Sequence, residues 1–256
     1  MKEQTLVKMI MHGCNGRMGQ MITGIVSKDP EIEIVAGVDI NDVQLNSYPV
    51  FKSLEDVNVK ADAVVDFGNA SAIDGLLSWC VKTETPCVIC TTGLSEAQVK
   101  AVEKASQLVA ILRSANMSLG INTLIKLLKD AANVFAPAGF DVEVIEKHHR
   151  MKLDAPSGTA IALADAVNEA RNNEYTYVYD RSDRRQTRDD KEIGISAVRG
   201  GTIVGEHDVI FAGEDEVITF SHTAYSRAVF GKGAIQAAKF LYDKGPGLYT
   251  MADVVG

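Results

Sequence analysis

No apolar run in this sequence approaches the roughly 18 residues needed to cross a bilayer, so no membrane partner is expected. The apolar stretch after Met1-Lys2-Glu3-Gln4 is too short for a signal-peptide core, and the expected location is the cytoplasm. Basic residues are in deficit. Lys and Arg total 26 against 34 Asp and Glu, and the resulting formal charge of −8 argues against a nucleic-acid partner. Cysteine is scarce, and four residues suit a reducing compartment. Cys87 and Cys90 form a C-x-x-C pair, but no second pair stands at zinc-ligand spacing, and no metal site is expected. Pro86–Cys90 reads instead as a buried strand, on which positions three apart face opposite ways into core. Repeats and low-complexity tracts are absent as well.

What remains is ordinary globular composition, 46% hydrophobic and 23% charged over 256 residues. A chain of that length supports one large domain or two modest ones. Its first half alternates strands with helices. Strands are expected at Thr5–His12, Glu31–Asp39, Ala61–Phe67, Pro86–Cys90 and Leu108–Leu112, with helices at Gly16–Lys28, Ser71–Thr83 and Ser95–Ser106. This order implies a parallel sheet covered on both faces, an α/β doubly wound fold. The pattern breaks at a long helix, Leu119–Phe135, followed by a strand at Phe140–Glu146 and a helix at Thr159–Arg171. Ile193–Arg199, Ile203–Phe211 and Glu216–His222 then suggest a β-meander turned at Gly200-Gly201 and Gly213-Glu214-Asp215, before Ser226–Lys244 returns to helix. The second region reads as an α+β insert. Arg181–Glu192 carries four arginines and Lys191 against Asp183, Asp189, Asp190 and Glu192, with Asp180 just before it, and is expected to be a solvated loop.

Gly13-Cys14-Asn15-Gly16-Arg17-Met18-Gly19 lies between the first strand and the first helix, where glycine allows a tight turn and close backbone approach to a pyrophosphate. Asn15 holds the middle glycine position of the usual dinucleotide fingerprint. Asp39, 20 residues after Gly19 at the end of the second strand, can accept hydrogen bonds from ribose hydroxyls. Its carboxylate repels a 2′-phosphate and Ile40 offers none a cation, so NADH is favoured over NADPH, with Lys8 or Arg17 as partial offsets.

The densest chemistry lies in Glu146–Ala160, which holds His148, His149, Lys152 and the turn Pro156-Ser157-Gly158-Thr159. Pro156 and Ser157 suit a helix start, so the N–H groups of Gly158 and Thr159 would face an anion such as a substrate carboxylate, with Lys152 adding positive charge. A metal site built from the two histidines, Glu146 and Asp154 is disfavoured, because adjacent residues rarely ligate one ion.

The motif E-x-H-H-x-x-K-x-D-A-P-S-G-T-A at Glu146–Ala160 resembles the dihydrodipicolinate reductase family of the lysine and diaminopimelate pathway. The resemblance covers nearly the whole chain. It includes Gly13–Gly19, Thr91–Gly93, Ala115–Ser118, Arg199–His207, His222-Thr223-Ala224 with Arg227, Gly247-Leu248-Tyr249 and Met251–Val255. It implies reduction of 4-hydroxy-tetrahydrodipicolinate, a small dicarboxylate, by NADH or NADPH, with loss of water. It implies a Rossmann-like dinucleotide-binding domain of residues 1–118 plus 228–256, and an inserted substrate-binding and oligomerisation domain of residues 119–227. A homotetramer and hinges near Ser118 and Arg227 follow from the same likeness. By position, Gly13, Cys14, Asn15, Gly16, Arg17, Met18 and Asp39 would hold the adenosine and pyrophosphate. Cys90, Thr91, Thr92, Ser114, Ala115, Asn116 and Met117 would line the nicotinamide, although Cys90 stands where the family commonly has glycine. His148 would be the proton donor or acceptor, Lys152 the second acid, and His149, Gly158 and Thr159 the carboxylate binders. Two rival readings are a phosphorylating semialdehyde dehydrogenase, which needs a cysteine nucleophile with a basic partner, and a nicotinamide-sensing regulator without catalysis.

Overall fold

The computed structural model describes residues 6–182 and 184–256. The leading Met1-Lys2-Glu3-Gln4, the expected strand start at Thr5 and Asp183 of the mixed-charge run lie outside them. The chain divides into two compact units, one made of residues up to Leu119 with Ala228–Gly256, the other of Gly120–Arg227.

The first unit opens with β1 (Val7–His12), α1 (Arg17–Val26), β2 (Ile32–Val38), β3 (Val50–Phe51), β4 (Ala63–Asp66), α2 (Ile73–Thr83), β5 (Cys87–Ile89), α3 (Glu96–Ser106) and β6 (Ala110–Arg113). The second unit contains α4 (Leu119–Phe135, its first residue at the boundary), β7 (Asp141–His148), α5 (Gly158–Ala170), β8 (Thr176–Val178), β9 (Glu192–Arg199), β10 (Gly205–Ala212) and β11 (Val217–Ala224). The chain then completes the first unit with α6 (Ala228–Leu241), β12 (Gly247–Tyr249) and α7 (Met251–Val255).

The first unit's sheet is parallel throughout, in the order β12-β6-β5-β4-β1-β2-β3. Strand order reverses between β1 and β4, the switch point at which doubly wound sheets place a ligand beyond the carboxyl ends of their strands. Every residue of β4 and β5 is buried because each sheet face has its own core. Met9, Met11, Val65 and Leu112 pack with Ile22, Ile235 and Leu241 on one face, while Ile10, Val64 and Ile111 pack with Leu76, Leu77 and Val102 on the other. Cys87 belongs to the second core and Cys90 packs against the first, as period-two alternation requires.

Local chemistry sets the helix ends. Ser95 caps α3 in a capping box with Gln98. Near Ser71 the α-helix starts later than expected, because the Asn69 side chain accepts from the Ser71 N–H and builds a 3₁₀ turn first. The two- and three-residue strands β3, β8 and β12 went unforeseen, since so few residues carry no period. Lys239 ties α6 to the α1–β2 corner through Asp29 at 2.8 Å and Glu31 at 2.7 Å.

The second unit's sheet has the order β11-β10-β7-β9-β8, and this corrects the expected meander. Only β10 and β11 form a hairpin, and β7 lies between β10 and β9, antiparallel to the first and parallel to the second. The cause is the α5 crossover, which returns the chain to the start of the sheet so that the next long strand pairs parallel to β7. Val142, Val144, Ile193, Ile195, Val209 and Phe211 form the buried face under Leu124, Leu128, Leu163 and Val167 of α4 and α5.

The described residues of the run 181–192 form a mostly exposed loop as far as Lys191, as expected, with Arg181 and Arg188 half-buried. Three of its arginines dock onto the sheet: Arg188 to Asp141 at 2.7 Å and Glu143 at 3.1 Å, Arg181 to Glu143 and Glu192, and Arg184 to Glu192. Two of those carboxylates lie some 40 residues upstream on β7, so the run's own composition carried no sign of its partners. Arg185, Asp189 and Asp190 stay exposed.

Candidate active site

In the first unit the glycine turn leaves β1 with Gly13 at φ +80°, a conformation that L side chains resist. A side chain there would also meet the Phe67 carbonyl oxygen at 2.7 Å. Gly16 is the N-cap of α1 and places no side chain on the first N–H groups, which leaves the helix start open to a phosphate. Arg17 is exposed beside it, and Met18 is half-buried. Cys14 turns its side chain into the core, so only its backbone can serve a ligand, and burial with the nearby Asp39 pushes its thiol up to about 11.

Asn15 proves to be a fastener. Its side-chain amide donates to the carbonyls of Asn41 at 2.6 Å and Val43 at 2.8 Å, while its backbone N–H donates to Asp39 at 3.0 Å. The departure from glycine thus ties the phosphate turn to the segment after β2. Asp39 also accepts from the Asn41 N–H at 3.1 Å, which fixes its carboxylate at the strand end. A cavity of about 290 Å³ beside it is lined by His12, Asp39, Lys52, Ser71 and Leu76.

Two of the cavity's features went unforeseen in the sequence. Lys52 lines the cavity together with Asp39 and pairs with Asp42 at 3.6 Å. His12 and Asp66, register partners that end β1 and β4, join through Nδ1 and Oδ1 at 2.7 Å. Their positions at the ends of adjacent parallel strands were the available signal. Cys90, Thr91 and Thr92 follow β5, and Ser114, Ala115, Asn116 and Met117 follow β6, so both segments lie at the same carboxyl edge. Burial and Asp66 push the Cys90 thiol well above its ordinary range, unlike an activated nucleophile. The neighbouring Asp66 carboxylate does not suit the cysteine nucleophile with a basic partner that a phosphorylating semialdehyde dehydrogenase requires.

In the second unit one sheet face changes character along its length. Beyond the apolar rows come Glu146 with His207 and His222, then His148 with Arg199 and Gly205, all brought level by strand register. β7 runs two residues further than expected, so His148 is a strand residue and His149 begins the turn, its carbonyl accepting from the Lys152 N–H. The Glu146 side chain is fully buried. Its Oε1 and Oε2 accept from the two Arg199 guanidinium nitrogens at 2.6 and 2.7 Å, from His148 Nδ1 at 2.6 Å, and from the Ser157 N–H at 2.9 Å. Burial alone would raise this carboxyl, but Arg199, His148 and Ser157 together hold it below the ordinary carboxylate range.

Ser157 is the N-cap of α5, accepting from Ala160, and contacts His207 Nε2 at 3.2 Å. Lys152 donates to Asp154 at 2.8 Å. Lys152, together with burial that opposes it and the Gly158 N–H that assists, leaves Asp154 below the ordinary range. The helix start thus favours a carboxylate, a position that Asp154 of the same loop takes in this structure. His148, Lys152, Gly158 and Thr159 are gathered around one strand–turn–helix junction, with half-buried His149 opening the turn. Glu146, Arg199 and His207 complete the junction. Their signal in the sequence was charge at positions whose alternation demanded apolar residues.

His207 is 4% exposed, and burial, reinforced by His148, pushes it down to about 4 from an ordinary 6.5. Glu146 opposes that fall, while His222 and Lys152 add to it. Such a group stays neutral in the fold while the unfolded chain takes up its proton. Its contribution to stability is complete above about pH 7 and lost as pH falls from about 6.5 toward 4, by ~3 kcal/mol. In a His207→Gln variant, the loss of unfolding free energy between pH 7 and pH 4.5, measured by urea titration, should shrink by about 2 kcal/mol. An unchanged pH dependence would count against the neutral buried imidazole.

A doubly wound parallel sheet with an open glycine turn, joined to a unit bearing a histidine–lysine junction, defines a nicotinamide-nucleotide-dependent oxidoreductase. The models of the dihydrodipicolinate reductase N-terminus and C-terminus match residues 7–117 and 120–255. The chain belongs to the dihydrodipicolinate reductase family. It is 55% identical over 250 residues to the 4-hydroxy-tetrahydrodipicolinate reductase of Caldanaerobacter subterraneus, covering 98% of both chains. It is 47% identical to that of Clostridium botulinum, over 98% of this chain and 99% of the other. Among solved structures it is similar to the dipicolinate-bound dihydrodipicolinate reductase of a Paenisporosarcina species, with a TM-score of 0.80, 26% identity, and coverage of 96% and 98%.

Proposed function

We propose that this protein is a 4-hydroxy-tetrahydrodipicolinate reductase of lysine and diaminopimelate biosynthesis. The observation that carries the reading is the junction of His148, Lys152 and the α5 start around a buried, charge-compensated Glu146, in a chain of this family. The substrate loses its 4-hydroxyl as water and gains a hydride and a proton. A bound nicotinamide nucleotide supplies the hydride. Lys152 assists departure of the hydroxyl, His148 delivers the proton to the ring, and His149 with the Gly158 and Thr159 backbone holds the carboxylates. The first unit is the nucleotide-binding domain and the second the substrate domain. Gly13, Cys14, Asn15, Gly16, Arg17, Met18 and Asp39 hold the adenosine and pyrophosphate. Cys90, Thr91, Thr92, Ser114, Ala115, Asn116 and Met117 line the nicotinamide.

The protein is a cytoplasmic homotetramer in this reading. Its four cysteines are unpaired. The sheet face of the second unit that bears Ile145, Val198 and Ile210 is left half-exposed or exposed, which suits assembly with further copies.

NADH is the preferred cofactor, because the anchored Asp39 carboxylate repels a 2′-phosphate. Rates of NADH and NADPH oxidation with the cyclic dicarboxylate test both points. Oxidation of neither would end the functional reading. In Asp39→Ser, the ratio of kcat/KM for NADH over NADPH should fall about tenfold or more, with Lys52 left as the cation of that cavity.

A further inference from the structure

The acceptor capacity of the buried Glu146 carboxylate is filled by three different residues. Four donors converge on two oxygens: both terminal nitrogens of Arg199, Nδ1 of His148 and the backbone N–H of Ser157. Each leads to a different part of the junction. His148 is the proposed proton donor. Ser157 is the cap of α5, whose first residues hold the substrate carboxylates in the reading above. Arg199 also donates to the Asp154 carbonyl at 2.6 Å, two residues from Lys152, and to the Val198 carbonyl at 2.8 Å. We infer that Glu146, braced by Arg199, is the positioning residue that fixes the tautomer of His148 and holds the proton donor in register with the carboxylate cradle.

The tautomer follows from donor and acceptor inventory. An ionised carboxylate can only accept, so the 2.6 Å contact requires a proton on His148 Nδ1. Nε2 is then the nitrogen that exchanges its proton with substrate. The fork of Arg199 keeps the carboxylate charged, so Glu146 orients the imidazole without taking its proton. Gly205 contributes space. A side chain at that position would stand 3.0 Å from Nε2, and glycine leaves that edge of the ring open.

The inference rests on the proposed reductase activity and is tested separately from it. Wild-type turnover is measured first and decides the functional reading alone. The ring-nitrogen NMR of ¹⁵N-histidine-labelled wild-type protein, with His148→Asn used for assignment, should show neutral His148 protonated at Nδ1. Protonation at Nε2 instead would overturn the inference, even if every Glu146 variant failed to fold. Glu146→Gln should lower kcat on the order of a hundredfold with NADH affinity retained, yet add almost nothing in a His148→Asn background. A Glu146→Gln cost of similar size in both backgrounds would mean that the carboxylate acts through general stability and would also overturn it.

Discussion

Replacing His148 by alanine is expected to lower kcat by about two to four powers of ten while the protein still binds NADH. The side chain is 10% exposed, with Nδ1 committed to Glu146 and Nε2 the nitrogen left for exchange. Alanine removes the proton donor and leaves a buried carboxylate short of one of its four donors, so a loss of stability of about 1–3 kcal/mol accompanies the catalytic loss. The glycine turn of Gly13 and Gly16, proposed to hold the nucleotide, belongs to the other unit. Lys152→Ala should lower kcat by a comparable factor, because its cation faces the Asp154 carboxylate at 2.8 Å at the same junction. Single-turnover NADH oxidation, read beside nucleotide affinity from fluorescence, separates the two effects. Turnover near the wild-type level in both variants would sink the assignment of this junction as the reaction centre.

Gly233→Ala should cost about 3 kcal/mol of unfolding free energy, out of proportion to one added methyl group. Gly233 lies within α6, where alanine is ordinarily the better helix former. Its missing side chain, however, is where the Met117 backbone passes, and a methyl group there would overlap the Met117 carbonyl. Either α6 lifts from the sheet or the segment Ser114–Met117 moves. Because that segment is proposed to line the nicotinamide, NADH affinity should fall together with the urea midpoint. Gly24→Ala is the internal control. It too replaces a helical glycine, on α1, but nothing lies within 4 Å of the added methyl. It should stabilise by about 0.5–1 kcal/mol. If both variants changed stability by the same amount and sign, close packing of α6 on Met117 would be refuted.

Much of the first unit was legible in the sequence because its signals are local. The strand–helix alternation, the glycine turn and Asp39 each declare themselves within a few residues, and the parallel sheet follows from their order. The second unit was harder. Its four long strands were found, but their order was not, since β9 and β10 follow one another in the chain while β7 separates them in the sheet. Within the junction, His148, Lys152 and the Ser157–Gly158 helix start could be picked out because they lie within a dozen residues. Arg199 and His207 lie roughly 50 and 60 residues further on, and in the sequence they were only charged or polar positions in two strands.

Residue types and their spacing settle the classes of chemistry: a glycine turn before a helix, an acid at a strand end, and imidazole, ammonium and a helix start in one segment. Tertiary structure decided what each group is made to do. Register alone sets Arg199 beside His148, which is how a carboxylate buried 53 residues earlier in the chain stays charged and dictates which imidazole nitrogen carries a proton. Side-chain type is written residue by residue, whereas charge state and tautomer depend on burial and partners that only long-range strand pairing supplies.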